Sequence, residues 1–129
     1  MGNQKDFGAL RIELLRDDLC VTTLKKGHDV KLQDGGRLLE WLRELGKTKM
    51  KSLIVVEPGC TIDPELRNYM GSGNRMDLIA ADAIVVNNFA HKVIIDFYFK
   101  YHRPNMNSKA FRSKEEALKW LEAVEITSD

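Results

Sequence analysis

Three histidines (His28, His91 and His102) and two cysteines (Cys20 and Cys60) are the side chains best suited to ligate a metal or attack a substrate. His91 and His102 fall on one helical stripe, yet they are eleven positions apart, which is about 16 Å along a helix axis. They cannot hold one ion together. His28 falls in an expected loop, and no H-x-x-x-H or H-E-x-x-H spacing is present, so no metal site is expected. The cysteines lack C-x-x-C spacing, one falling in a strand and the other in a Pro-Gly-Cys-Thr loop, and both are expected to remain thiols. The Cys60 loop should be partly exposed, but no adjacent Lys, Arg or His lowers its pKa. Asp6, Glu57 and Asp82 are the candidate acid/base carboxylates; none has a nucleophile beside it, and G-x-S-x-G is absent. The expectation is a protein that is not an enzyme and carries no cofactor.

Two further segments carry suggestive residues. Gly71-Ser72-Gly73-Asn74-Arg75 has a phosphate-loop flavour, but it follows a helix and lacks the Gly-Lys-Ser/Thr ending, so it reads as a helix stop. Lys47, Lys49 and Lys51 alternate before a strand and read as a solvated basic linker.

The elements that must position these residues follow from periodicity. Leu10, Ile12 and Leu14 alternate with Arg11 and Glu13, and Leu19 to Leu24 continues after Asp17-Asp18, predicting an antiparallel hairpin. Leu38, Trp41, Leu42 and Leu45 mark a helix over 34–45, with Asp34 as N-cap and Gly46 as its stop. Leu53–Val56 and Ala83–Val86 are apolar without alternation, as strands buried on both faces are. A helix starting at Asp63-Pro64 and running to about Met70 separates them, with another helical turn expected over 76–81. Two buried strands joined through helices imply parallel βαβ connections and an α/β fold with a mixed β-sheet and flanking helices. A helix capped by Asn88 runs to about His102, a short strand follows at 109–112, and Ser113 to Glu116 forms a capping box for a terminal helix.

Composition supports one domain over 1–129: the chain is 43% hydrophobic and 30% charged, with neither a repeat nor a linker. A formal charge of +1 provides no long-range field to draw the whole domain onto nucleic acid. No apolar run approaches the roughly 20 residues of a membrane span, and the N-terminus does not read as a secretory signal. A cytoplasmic location without membrane insertion is the expectation.

The helix over 89–102 has three faces instead of two. Ala90, Val93, Ile94, Phe97 and Tyr101 form an apolar stripe; Lys92, Asp96, Lys100 and Arg103 form a charged one; and His91, Ile95, Tyr98, Phe99 and His102 form the third. With the first stripe docked on the sheet, the third either fills a groove within the domain or is left for another molecule, and the second is the expectation. Aromatics are favoured at interface cores, and a self-complementary helix face suits a twofold dimer. His91, Ile95, Tyr98, Phe99 and His102 are therefore the expected interface of a homo-oligomer, or of a complex with a protein partner.

The strand Asp82-Ala83-Ile84-Val85-Val86-Asn87-Asn88, the aromatic-rich helix and the ending Ala110-Phe111-Arg112-Ser113-Lys114-Glu115-Glu116-Ala117-Leu118-Lys119-Trp120-Leu121 resemble the SpoIIAA-like (STAS/SEC14-like) domains. The likeness extends over nearly the whole chain in element order and is specific in motif only at the C-terminus. It implies a mixed sheet flanked by helices and a non-enzymatic role in protein association or ligand sensing, in bacterial-type regulation. Some such domains are phosphorylated on a serine after the central strand; Glu57-Pro58-Gly59-Cys60-Thr61 stands there, so only Thr61 could take a phosphate. The SEC14 side of the resemblance suggests a small apolar or lipid-like ligand, in a pocket near Met70, Met76, Phe97 and Phe99.

Overall fold

In-register alternation over Leu10–Arg16 (β2) buries Leu10 and Ile12 and turns Arg11 and Glu13 to solvent, which pairs the strand antiparallel with Leu19–Leu24 (β3). The computed structural model describes residues 3–70, 75, 77–102 and 107–124, and within 89–102 every side chain except those of Tyr98, Tyr101 and His102. Gln4–Asp6 (β1) adds an outer strand to the hairpin. Met50–Val56 (β5), Ile79–Val85 (β7) and Asn107–Phe111 (β8) then join in parallel, giving one six-stranded mixed sheet in the order β1-β2-β3-β5-β7-β8. Asp29–Val30 (β4) and Thr61–Ile62 (β6) form a separate two-stranded parallel pair.

The parallel strands are connected through helices, as their unbroken apolar runs predicted. Leu32–Glu44 (α1) lies between β3 and β5, Pro64–Met70 (α2) between β5 and β7, and Phe89–His102 (α3) between β7 and β8. Lys114–Ala123 (α4) follows β8 and covers the opposite face, where Ala117 and Leu121 pack with Val21, Leu53, Ala83 and Phe111. On the first face Leu39 and Leu42 of α1 meet Ile12, Cys20 and Met50, while Leu66 of α2 and Phe99 of α3 meet Leu24, Ile54 and Ile84. Gly35 permits the α1–α2 approach: a Cβ there would stand 2.6 Å from Leu66 Cδ1.

Local chemistry accounts for the boundaries. Ser113 Oγ accepts a hydrogen bond from Glu116 N–H at 3.3 Å, so the expected cap of α4 forms. Asn88 Oδ1 accepts from His91 N–H at 2.8 Å and starts α3. α1 begins earlier than expected, because Asp34 is its third residue instead of its cap, and its carboxylate reaches back to Lys31 N–H at 2.9 Å. Ile79–Ala81, expected in a helical turn, belongs to β7; residues 71–74 and 76 lie outside the described residues.

Lys51 also departs from the solvated linker expected for it. Its side chain is buried on the α4 face, and Nζ donates to Leu121 O at 2.6 Å, fastening the C-terminal end of α4 to the sheet.

The rotation of α3 is the main departure. Phe99 is only 5% exposed, and Ile95 is half-buried against the same cluster. Val93, Ile94 and Phe97, expected to dock, are instead 51% to 64% exposed, as is Phe89 beside them. Asp96 explains the choice. Its Oδ1 accepts the outward N–H of Ala110 on the edge strand β8 at 2.8 Å, and its Oδ2 binds Lys92 Nζ at 2.8 Å. Satisfying the strand edge turns the Asp96 flank inward, and Phe99 and Ile95 follow it.

Candidate functional site

At the C-terminal ends of β3, β5 and β7 the side chains that point toward α1, α2 and α3 are Leu24, Ile54, Val56, Ile84 and Val86. Their register is strict, with Thr22 opposite Ile54 and Ile54 opposite Ile84, so alternate residues share one face. Leu66 of α2 and Phe99 of α3 cover this area only in part. A cleft of about 390 Å³ remains between them, completed by Cys60, Ile62, Arg67, Met70, His91, Ile94, Ile95 and Phe99. In open α/β sheets the crevice beyond the carboxyl ends of the strands is where ligands bind, and the volume falls in the range of small-molecule sites.

Among the described residues the lining is apolar apart from the Cys60 thiol and two basic side chains, Arg67 from α2 and His91 from the first turn of α3, both exposed at the rim. Burial, followed by the negative charges of Asp29 and Glu57, pushes the Cys60 thiol above its ordinary value. It is therefore not an activated nucleophile. A second space of about 40 Å³ lies beneath α1 and α2 beside Cys20, Ser52, Tyr69 and Arg75. It is too small for an organic ligand.

The candidate carboxylates are occupied elsewhere. Asp82 is fully buried and bound through both oxygens by Arg75, Nη1 at 2.6 Å and Nη2 at 2.8 Å. Asp6 accepts from Lys25 Nζ at 2.6 Å, which holds its carboxyl below the usual range, and Glu57 accepts from Lys26 N–H at 2.8 Å. None of the three lines the cleft. Among the described residues no group of three or more His, Cys, Asp or Glu side chains converges.

Of the expected interface residues, His91, Ile95 and Phe99 all line this cleft, so the third face of α3 looks onto a concave space inside the subunit. The side chains of Tyr98 and His102 lie outside the described ones. Among the expected pocket residues Met70 and Phe99 line the cleft, Phe97 stands on the outer face of α3, and Met76 lies outside the described residues. Thr61 lies in β6, not at a helix start, and its hydroxyl donates to Asp29 Oδ1 at 2.7 Å. That bond and Lys31 hold the Asp29 carboxyl below its ordinary value, so a phosphate on Thr61 would meet a carboxylate. Arg67, Cys60 and Ile62 were not singled out by periodicity; Cys60 and Ile62 lie a few positions beyond an unbroken apolar strand, whereas Arg67, within α2, has no such signal.

The architecture is thus a mixed α/β sheet with an apolar cleft at its parallel strand ends. It is similar to the crystal structure of an uncharacterised protein of the DUF3478 family from Shewanella loihica PV-4, described as having a SpoIIAA-like fold. The TM-score is 0.56 at 16% sequence identity, over 88% of this chain and 92% of that one. The fold is SpoIIAA-like. Over residues 14–125 the chain matches the family described as a domain of unknown function, DUF7793, and it belongs to that family. No curated protein matches it. Among the described residues no helix is long and apolar enough to cross a membrane.

Proposed function

We propose that this domain is a non-catalytic binding module for a small, largely apolar ligand, held in the cleft between α2 and α3. One observation carries the reading: a space of about 390 Å³ at the carboxyl ends of three parallel strands, lined by aliphatic, aromatic and thioether side chains with basic groups only at the rim. The engagement of Asp6, Glu57 and Asp82 away from it supports binding over catalysis. Kinship with STAS/SEC14-like domains, suggested by the C-terminal pattern, agrees with ligand sensing in the cytoplasm. Native mass spectrometry of gently purified protein tests the reading. Retained small-molecule mass, lost when Ile95→Trp fills the cleft, is the expected result; an unliganded mass together with no uptake of any added apolar probe would refute it.

A second reading is self-association, now through the outer face of α3. Phe89, Val93 and Phe97, with Ile94 shared with the cleft rim, form an exposed apolar stripe of the kind that marks contact sites. Sedimentation at micromolar concentration is expected to show a dimer that Phe97→Glu converts to monomer. A monomeric parent protein rules this out and leaves the cleft reading untouched.

A further inference from the structure

The cleft has a polarity that specifies its ligand more closely than size does. Among the described residues its ionisable rim groups are Arg67 and His91, contributed by two different helices, and no carboxylate lines it. Asp29 and Glu57 lie close enough to the Cys60 thiol to act on it, whereas Arg67 and His91 come from α2 and α3. The electrostatics therefore differ from one end of the cleft to the other. The Cys60 end disfavours an anion, and the α2/α3 rim favours one. The helix terminus of α3 adds no open donor at His91, whose N–H is taken by Asn88. Side-chain charge supplies the attraction.

Resting on the binding reading above, we infer that the ligand is a single-chain or single-ring organic acid. Its anionic group lies at Arg67 and His91, and its apolar body lies along Ile54 and Ile84. A guanidinium has five donors and suits a carboxylate in two-point contact even while it keeps another contact. The volume stands near the lower end of the range for ligand sites, which selects one short chain or ring over a two-chain lipid.

The test is competition against the neutral fluorescent probe N-phenyl-1-naphthylamine, using decanoate, 1-decanol and decylamine as competitors at fixed pH and salt. Decanoate is expected to displace the probe at least tenfold more tightly than decanol, with decylamine weakest. Arg67→Gln combined with His91→Gln should remove most of that tenfold gap while leaving decanol unchanged. Both residues are exposed, so the fold is not at risk. Phe97→Glu, on the outer face of α3, should change none of the three, which separates cleft binding from adsorption to that face. Equal displacement by acid and alcohol, or tighter binding of the amine, overturns the acid-binding inference and leaves the cleft reading standing. If the probe is not taken up and no competitor binds, the cleft reading fails and this inference with it.

Discussion

Asp82 and Arg75 are two opposite charges withdrawn from water beside the central strands, with Arg75 Nη1 also donating to Met70 O at 3.2 Å. Removing one partner strands the other. Asp82→Asn should lower unfolding free energy by about 3–5 kcal/mol in urea melts, whereas Arg75→Met with Asp82→Leu should cost far less because no charge is left buried. Cys20 makes a separate prediction in pH. Burial pushes its thiol up to about 12 from an ordinary value of 9.0, so the folded protein holds this proton more tightly than the unfolded chain does. Stability from this group is complete below about pH 9 and declines as pH rises toward 12, by at most about 1.4 kcal/mol per pH unit. Between pH 9 and 10.5 Cys20→Ala should lose less stability than the parent protein in matched melts. Equal slopes would show that the thiol ionises without opposing the fold.

At the scale of elements, the sheet and most helices were legible because their signals are local. Alternation over Leu10–Leu14, the unbroken run Leu53–Val56, Pro64 at a helix start and Ser113 at a cap each determine a backbone conformation within a few residues. The rotation of α3 was not legible. Two apolar stripes of similar size compete for one sheet, and periodicity ranks them equally; the choice is made by Asp96 reaching a backbone N–H of β8 fourteen residues away. Lys51 was misread for a related reason, since its acceptor Leu121 O is seventy residues distant. The rotation predicts unequal mutational costs on one helix. Phe99→Ala should destabilise by about 3–5 kcal/mol, while Phe97→Ala should change stability by less than about 0.5 kcal/mol. Asp96→Ala should cost about 1–3 kcal/mol by stranding the Ala110 N–H, and hydrogen exchange at Ala110 should accelerate. Equal costs at Phe97 and Phe99 would mean that α3 is turned the other way.

For the whole molecule, function follows from uneven coverage of the sheet. α1 and α2 meet closely through Gly35 and Leu66, α3 is drawn toward the β8 edge by Asp96, and the strand ends between α2 and α3 are left as an apolar cleft. Part of that cleft was within reach of sequence reasoning, because Met70, Ile95, Phe99 and His91 stood out by type. Their convergence with Arg67, Cys60 and Val86 depends on which way the crossovers turn and how far apart two helices come to rest. The central claim is that this cleft accepts a small, largely apolar ligand. A methyl-resolved NMR titration with decanoate tests it most directly. Saturable shifts are expected at Ile54, Ile62, Ile84 and Ile95, with Leu19, Leu53 and Leu121 on the α4 face unmoved. Shifts confined to Val93 and other outward methyls of α3, or no saturable shift at all, would contradict it.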